Sequence, residues 1–341
     1  MSKKVVTFGE IMMRINPKLN YRLVQADEFN VTYAGAEASV AVSLAQFGLD
    51  AYFVTKVPNT EIGQCAINAV RKYGVNTSYI LRSTDRLGIY FVEKGASQRP
   101  SKVIYDRKNS AIANAKLEDF DWDLIFNDAI WFHFTGITPA LSDSLVEICL
   151  EACKKAKEKG LTISCDLNYR NKLWEKSKAR AVMSKLMPFV DVCIANEEDA
   201  KDVFGIESKN SNVQSGELNV EGYKEVAKKL TKMFDLKYVA FTLRESISAN
   251  DNIWSGLLYK DGEVAISPKY NIHIVDRFGG GDSFGAGLIY SLINKETMQN
   301  AVDFAVGASC LKHSIEGDFN LVSFDEVMTL VKGNASGRVQ R

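Results

Sequence analysis

The chain has 341 residues, 42 lysines and arginines balance 42 aspartates and glutamates, and 46% of the residues are hydrophobic. This composition is typical of a soluble globular protein with a sizeable core. The zero net charge creates no general attraction for nucleic acid or for an anionic membrane, so we expect neither as a partner. Any anion that the protein binds must therefore be recognised by a local site.

Two further observations concern the location of the protein. The N-terminal stretch MSKKVVTFGEIMM lacks the continuous apolar run of a signal peptide, and no window offers about 18 uninterrupted apolar residues for a membrane span. The six cysteines contain no C-x-x-C pair, so we expect core thiols in a reducing compartment rather than a metal site. These features predict a cytoplasmic protein.

Most of the chain repeats one unit, in which an amphipathic helix ends near a glycine and a short apolar strand follows. Such strands, separated by helices, are typical of a largely parallel sheet with helices on both faces. We therefore predict an α/β fold in which residues 1–341 form one domain. The predicted helices and following strands are 35–47 with 51–55, 143–159 with 161–166, 177–187 with 191–196, and 220–234 with 237–243, and a further helix lies near 60–73.

Residues 12–33 and 87–108 interrupt this pattern. Both regions alternate in the manner of strands, and no helix separates neighbouring strands. We predict that they form a small antiparallel sheet, attached to the main domain, that serves as a lid. After Phe278 the chain is predicted to be helical, over 282–293, 297–313 and 323–332.

The sequence IHIVDRFGGGDSFGAG (272–287) places three glycines, Gly279–Gly281, between a predicted strand and a predicted helix. Glycines allow a ligand to approach the backbone closely, and free N–H groups at a helix N-terminus attract anions, so a phosphate site is predicted. A tight turn in which Asp282 only caps the helix is the alternative. The spacing does not fit the dinucleotide motif G-x-G-x-x-G, and no G-x-x-x-x-G-K-[ST] sequence is present.

The segment DRFGGGDSFGAG resembles the D-x-x-G-[AG]-G-D-x-[FY] signature of the ribokinase/PfkB carbohydrate kinases. The resemblance implies a ribokinase-like three-layer α/β/α fold with a mostly parallel sheet and a small β-sheet lid. It also implies a kinase that uses ATP and Mg²⁺, and it leaves a monovalent cation open as a further cofactor. The family's roles would make Gly279, Gly280 and Gly281 the anion hole and Asp282 the catalytic base. Because Asp282 is in a first helical turn, we expect a low pKa for its carboxyl.

Three further segments resemble parts of this family: NEED (196–199) the region that influences Mg²⁺ and phosphate, TLRES (242–246) a region of nucleotide contacts, and HSIEGDFN (313–320) the branch that acts on sugar acids. We expect no direct protein ligand to Mg²⁺, because this ion keeps several of its waters. Structural alternatives exist, since an asparagine before a helix is a common N-cap and a histidine can neutralise a helix C-terminus. The resemblance assigns to the cofactor Asn196, Thr242, Arg244, Gly279, Gly281 and His313, with Glu197 and Glu198 as contacts to Mg²⁺ through water.

The segment CDLNYR (165–170) resembles the D-x-N-x-R segment of family members that act on sugar acids, and it follows a predicted strand. Ligands bind at this end of strands in open α/β sheets. Arg170 would hold a substrate carboxylate through two parallel hydrogen bonds, although an arginine at a strand end is also often a solvated side chain. The resemblance assigns to the substrate Gly35, Ala36, Asp166, Asn168, Arg170 and Asp318 and, from the lid, Tyr90, Tyr105 and Arg107.

Within the family, the segments TGITPAL, CDLNYR, TLRES and KHSIEGDFN together resemble the 2-keto-3-deoxygluconate kinases. The implied reaction transfers phosphate from ATP to 2-keto-3-deoxy-D-gluconate and gives its 6-phospho derivative. A neutral-sugar kinase of the same family, such as a fructokinase, is the alternative, and a non-catalytic sugar or nucleotide binder is another. Family members commonly join two subunits through their lids, and a lone sheet with an apolar face would be half exposed, so we expect a homodimer through the lid.

Overall fold

The computed structural model describes residues 3–196, 198–207 and 220–334, and its centre is a ten-stranded sheet accompanied by a smaller four-stranded one. The strands in chain order are β1 (Lys4–Phe8), β2 (Met12–Pro17), β3 (Phe29–Ala34), β4 (Asp50–Pro58), β5 (Ile80–Ser83), β6 (Gly88–Glu93), β7 (Lys102–Asp106), β8 (Ala129–Thr135), β9 (Thr162–Asp166), β10 (Val192–Ala195), β11 (Tyr238–Ser246), β12 (Asp251–Lys260), β13 (Glu263–Ile266) and β14 (Tyr270–His273).

The large sheet has the order β13, β12, β11, β10, β9, β8, β1, β4, β5, and β14 also pairs with β12. The neighbours from β11 to β5 are parallel, whereas β12 pairs antiparallel with β11, β13 and β14. The mostly parallel sheet predicted from the sequence is therefore confirmed. Its parallel strands end at one edge of the sheet, which is where open α/β sheets bind ligands.

Helices cover both faces of the large sheet. Successive side chains in a strand point to opposite faces, and Val5 and Val6 of β1 accordingly belong to two different hydrophobic clusters. The three-layer α/β/α arrangement is therefore confirmed. The helices are α1 (Ala36–Gln46), α2 (Glu61–Arg71), α3 (Trp122–Ile125), α4 (Ile137–Ala140), α5 (Asp143–Glu158), α6 (Lys176–Leu186), α7 (Asp199–Phe204), α8 (Val220–Phe234), α9 (Gly280–Ile293), α10 (Met298–Lys312) and α11 (Phe324–Val331).

The four-stranded sheet, here called the lid sheet, has the order β3, β2, β6, β7 and comes from the two regions predicted to form it. The outer pairs are antiparallel as expected, but β2 and β6 are parallel, so the prediction of a wholly antiparallel sheet is wrong. The chain leaves the lid sheet after β3 and returns at β6 through the main domain. A connection of this length can join strands in either direction, unlike a hairpin.

Two further findings concern the predicted cysteine environment and the membrane. Cys149, Cys153, Cys165 and Cys193 are buried free thiols, but Cys65 is exposed and Cys310 is only partly covered, so the prediction of core thiols holds for the first four. Among the described residues, no helix has the length and the apolar character that crossing a bilayer requires.

Candidate active site

A cleft of about 360 Å³ lies at the carboxyl edge of the parallel strands, beneath the lid sheet. The glycine turn, Gly279–Gly281, forms part of its wall at the start of α9. The first helical hydrogen bond runs from the N–H of Ser283 to the carbonyl of Gly279 at 2.9 Å. The amides of Gly280, Gly281 and Asp282 therefore have no acceptor within the helix and can bind an anion.

The three glycines of this turn differ in the space around them. Gly279 has φ of +79°, and a Cβ there would lie 1.8 Å from the carbonyl oxygen of Asp318. A Cβ on Gly280 would lie 2.6 Å from the His313 ring, whereas a Cβ on Gly281 would meet nothing within 4 Å. Gly279 and Gly280 are thus required by the fold, and Gly281 leaves its backbone open to the cleft.

Asp282, the predicted catalytic base, is half-buried in the wall of the cleft. Burial raises its pKa well above the ordinary value, and the negative charges of Asp166, Asp318 and Glu37 raise it further, whereas Arg170 lowers it. The prediction of a low pKa is therefore wrong. One helix terminus supplies only about half a positive charge, which does not outweigh lost hydration and three carboxylates. A raised pKa makes the carboxylate a better acceptor for a hydroxyl proton.

All nine residues that the sequence assigned to the substrate line this cleft. The rings of Tyr90 and Tyr105, from β6 and β7, are stacked with centroids 6.1 Å apart. Gly35 precedes α1, and a Cβ there would lie 1.8 Å from the carbonyl oxygen of Glu10, so the approach of the two segments requires glycine. The complete set is Gly35, Ala36, Tyr90, Tyr105, Arg107, Asp166, Asn168, Arg170 and Asp318.

The two arginines on the substrate side differ in their partners. The Nε of Arg107 donates to Glu10 Oε2 at 2.8 Å, and its Nη2 bonds the same oxygen, so Glu10 balances the charge of Arg107. Arg170 is exposed in the cleft, and within the described part of the chain it has no ion pair shorter than 4.0 Å. Its guanidinium is therefore the one better placed to bind an added carboxylate.

Asp166, at the end of β9, and Asn168 shape the loop that carries Arg170. Burial and the charge of Asp199 raise the pKa of Asp166 to about 8, although Arg170 opposes this. Asn168 has φ of +36°, and its N–H donates to Asp166 Oδ1 at 3.0 Å. Asparagine tolerates this left-handed conformation better than most residues, so the loop turns sharply at this point.

The residues assigned to the nucleotide, Asn196, Thr242, Arg244 and His313, line the same cleft. Asn196 Oδ1 accepts hydrogen bonds from the N–H groups of Glu198 and Asp199 at 2.8 and 3.1 Å, so the side chain closes the turn that leads into α7. His313 Nδ1 lies 2.7 Å from the carbonyl oxygen of Ser309 and therefore donates to it. Burial lowers the pKa of His313 to about 4, so the ring is neutral near pH 7.

The structure describes only one of the two residues assigned to Mg²⁺. Glu198 is exposed and does not line the cleft, whereas Glu197 lies outside the described residues. Asp199, which sequence reasoning missed, does line the cleft, and its carboxylate accepts from the N–H groups of Tyr169 and Asn196. Within the described ranges, no group of three or more histidines, cysteines or acids could hold a metal ion.

Sequence reasoning also missed a buried ion pair between the lid sheet and the glycine turn. Arg14 of β2 is 1% exposed, and its Nη2 and Nη1 donate to Asp276 Oδ2 and Asp318 Oδ1 at 2.7 and 2.5 Å. Tyr90 donates its hydroxyl to the other Asp318 oxygen at 2.8 Å. Burial alone would lower the pKa of Arg14, but Asp318 and Asp276 raise it above the ordinary value. The alternation of β2 could have shown only that Arg14 shares a face with Met12.

Two further residues of the cleft wall carried no sequence signal. Glu37 of α1 is buried, and its Oε1 accepts hydrogen bonds from the backbone and hydroxyl of Thr135 and from the hydroxyl of Thr138. Arg277 precedes the glycine turn, and burial and the nearby Arg244 lower its pKa. The end of the cleft assigned to the nucleotide therefore carries two like charges, which an anion would neutralise.

Comparison with known proteins identifies the family. The sequence profile described as pfkB family carbohydrate kinase matches residues 2–320. The chain belongs to the pfkB family of carbohydrate kinases. It is therefore a sugar kinase, a phosphotransferase that acts on small-molecule substrates with ATP.

Several relatives of this pfkB kinase span its whole length. It is 32% identical to a 2-dehydro-3-deoxygalactonokinase from Haloferax volcanii, over 99% of both chains. It is 28% identical to a 2-dehydro-3-deoxygluconokinase from Bacillus subtilis, over 94% of this chain and 92% of the relative. These names concern the relatives, and they agree in the class of substrate.

Solved structures agree with the fold. The crystal structure of a 2-dehydro-3-deoxygluconokinase from Thermotoga maritima matches with a TM-score of 0.94 and 52% identity, over 97% of this chain and 100% of that chain. A putative ribokinase II from E. coli, in complex with ATP and Mg²⁺, matches with a TM-score of 0.78 over 97% and 99% of the two chains. At 20% identity the second likeness concerns the fold alone, and it confirms the ribokinase-like architecture.

Proposed function

We propose that this kinase transfers the γ-phosphate of ATP to the terminal hydroxyl of 2-keto-3-deoxy-D-gluconate, also called 2-dehydro-3-deoxygluconate, and gives the 6-phospho derivative. The observation that carries the proposal is the position of Arg170, exposed in the cleft and without an ion-pair partner in the described ranges. A neutral sugar gives such a side chain no anion to bind. The carboxylate of a sugar acid would receive two parallel hydrogen bonds from it.

The charge balance of the substrate side supports the same proposal. Asp166, Asp282 and Asp318 all line the cleft; Arg14 already balances Asp318, but Asp166 and Asp282 have no ion pair within the described ranges and repel an anionic substrate when they are ionised, unless a cation compensates for them. Glu10 already balances Arg107, so this compensation falls to Arg170. The named relatives, which include both gluconate and galactonate kinases, lead us to include the galactonate epimer among the substrates to be tested.

The chemistry follows from the positions of these groups. Asp282 accepts the proton of the sugar hydroxyl, and the amides of the glycine turn stabilise the charge on the transferring phosphate. The transition state of phosphoryl transfer is loose, so positioning and charge stabilisation matter more than a strong base. Asp166, at the end of β9, and Asp199, after β10, would offer oxygens to a Mg²⁺ ion that keeps most of its waters, and such an ion would neutralise nucleotide phosphate charge.

The quaternary structure is a further part of this proposal. A row of apolar side chains, Val31, Ile15, Phe91 and Ile104, crosses all four strands of the lid sheet in register. Val31 is 51% exposed and Ile104 is 43% exposed at its two ends. We propose that two chains pair through this face as a homodimer. We also propose that the chain forms one domain, of which residues 12–33 and 87–108 are the lid. The cytoplasmic location stays a prediction.

A substrate panel tests the proposed reaction. Release of ADP would be measured with 2-keto-3-deoxygluconate, its galactonate epimer, fructose and ribose as acceptors. We expect activity with the sugar acids, and a KM for them that Arg170→Ala raises about 10- to 100-fold, as for the loss of charge-assisted hydrogen bonds. Arg71→Ala makes the same change at an exposed residue in the last turn of α2, outside the cleft, and should leave KM unchanged. Activity confined to neutral sugars would rule out the proposed substrate.

A further inference from the structure

The last residue of α10, Lys312, has an unusual position for a lysine. Its side chain is 0% exposed, and lysine is almost never fully buried unless it is paired. Its Nζ donates to the carbonyl oxygens of Ile315 and Asp276 at 3.1 and 3.4 Å. The ammonium therefore lies between the segment that leads into the glycine turn and the loop formed by residues 313–318, here called the 313–318 loop.

These two segments are in direct backbone contact. The N–H groups of Val275 and Asp276 both donate to the carbonyl of His313, at 2.8 and 3.3 Å. Gly279 packs so closely against the Asp318 carbonyl that no side chain fits between them. The position of the 313–318 loop therefore fixes the position of the glycine turn, and Lys312 bonds the two together beneath it.

The charge at this position has a cost that packing alone does not explain. Transfer of an ammonium from water into a protein interior is unfavourable, and an apolar side chain of similar length would fill the same space without that penalty. Burial lowers the pKa of Lys312 and the like charge of Arg14 lowers it further, whereas the carboxylates of Asp276, Asp318 and Asp282 raise it and so offset part of the cost. The charge is thus matched to the acids and carbonyls of the candidate catalytic region.

We propose that Lys312 is a positioning residue whose buried ammonium holds the Asp276 segment against the 313–318 loop and so aims the amides of the glycine turn at the transferring phosphate. The inference rests on the proposed role of that turn as the anion hole. Backbone carbonyls are also ligands that monovalent cations accept. Because the ammonium of Lys312 already binds the carbonyl oxygens of Ile315 and Asp276, this position needs no added monovalent cation.

A matched pair of variants tests the positioning role. Lys312→Met removes the ammonium and keeps the length of the side chain. Lys4→Met is the control, because Lys4 of β1 is 7% exposed and donates to the carbonyl of Asn127 at 2.9 Å, but lies outside the cleft wall. We expect Lys312→Met to lower kcat about 100-fold with little change in the KM for the sugar, as for misplaced catalytic groups, and Lys4→Met to retain kcat. Equal kcat values for the two variants would overturn the proposal.

Chemical rescue separates the charge from the packing. Lys312→Ala leaves space for a small cation, so we expect methylammonium or K⁺ to restore part of the lost kcat, and an uncharged amide of similar size, acetamide, to restore none. The same additions should not change the rate of Lys4→Met. Rescue by acetamide, or the absence of any rescue by the cations, would show that the ammonium is not what positions the turn.

The unmodified enzyme provides a test that does not depend on the folding of a variant. With tetramethylammonium as the only monovalent cation in the assay, we expect the wild-type kcat to equal its value in K⁺, and a strict requirement for K⁺ would overturn the proposal. All rates are taken with whichever acceptor the wild-type enzyme phosphorylates. A failure of the proposed substrate therefore appears in the wild-type panel, whereas a failure of the Lys312 proposal appears only in these comparisons.

Discussion

At the scale of single residues, the cleft is defined by acids that influence one another. Asp166, Asp282 and Glu37 each have a raised pKa, and in every case burial is the largest cause. Interacting acids titrate as a group, so a change at one of them is measurable at the others. This coupling offers a direct test of Asp282 as the proton acceptor.

Asp166→Asn should shift the pH dependence of the reaction. The substitution removes the negative charge that Asp166 exerts on Asp282, so the pKa of Asp282 falls. A base must be ionised to act, and kcat/KM is lost as the pH falls through its pKa. We therefore expect the acidic limb of the kcat/KM profile to move to lower pH, even if the plateau is lower.

The control for this experiment is Asp143→Asn, on the exposed start of α5, which should leave the limb in place. The measurement is kcat/KM between about pH 5 and 9 for the three proteins, at constant ionic strength. An acidic limb that does not move in Asp166→Asn, or moves to higher pH, would contradict the assignment of Asp282 as the base.

The sequence predicted the members of this site better than their charge states. All the assigned residues within the described ranges, apart from Glu198, line the cleft. Local patterns indicated the glycine turn and the strand ends, and the family resemblance supplied the residue assignments. The pKa of Asp282 was predicted wrongly, because it depends on burial and on the charges of Asp166, Asp318 and Glu37, which are distant along the chain. The sequence did not indicate the buried contacts of Arg14 and Lys312 for the same reason, because their partners come near only in the folded structure.

At the scale of elements, β2 connects the lid sheet to the glycine turn. Arg14 binds Asp276, at the start of that turn, and Asp318, in the 313–318 loop. Its guanidinium carbon also lies 5.0 Å from the ring centre of Phe278. One side chain of the lid therefore contacts both segments that Lys312 bonds to each other.

Replacement of Arg14 should affect stability strongly. Arg14→Met leaves Asp276 and Asp318 without their main cation, and breaking a buried ion pair typically costs about 3–5 kcal/mol. The matched control is Arg22→Met in the same lid region, because Arg22 is 58% exposed and its pair with Glu93 is worth about 0–1 kcal/mol. Urea unfolding of both variants provides the measurement. Equal losses of unfolding free energy would show that the buried pair contributes no more than the exposed one.

The elements themselves were largely predictable. Helical periodicity and the glycines that end helices indicated α1, α5 and α9 to within two residues of their observed ends. The direction of β2 relative to β6 was not predictable, because strand alternation has the same period in parallel and antiparallel pairs. The direction of β6 depends on the point at which the chain leaves the main domain and re-enters the lid sheet.

At the scale of the whole molecule, the net charge is zero but the charged residues of the cleft are unevenly distributed. The end of the cleft assigned to the sugar holds several acids together with Arg107 and Arg170, whereas Arg244, Arg277 and the glycine turn supply positive potential at the end assigned to the nucleotide. One face of the lid sheet covers this cleft, and on the other face Val31 and Ile104, at the two ends of the apolar row, are exposed among the described residues. An exposed apolar face of this kind is typical of an interface.

The oligomeric state tests that face. Ile104→Asp places a charge at the exposed end of the apolar row, and a buried unpaired carboxylate would oppose pairing of two lid sheets. We expect light scattering after gel filtration to give twice the monomer mass for the wild-type protein and the monomer mass for Ile104→Asp. Met233→Asp, the control, changes a similarly exposed apolar residue on α8 and should remain dimeric, since it lies outside the lid. A monomeric wild-type protein would rule out the dimer. A dimer that survives Ile104→Asp but not Met233→Asp would place the interface outside the lid.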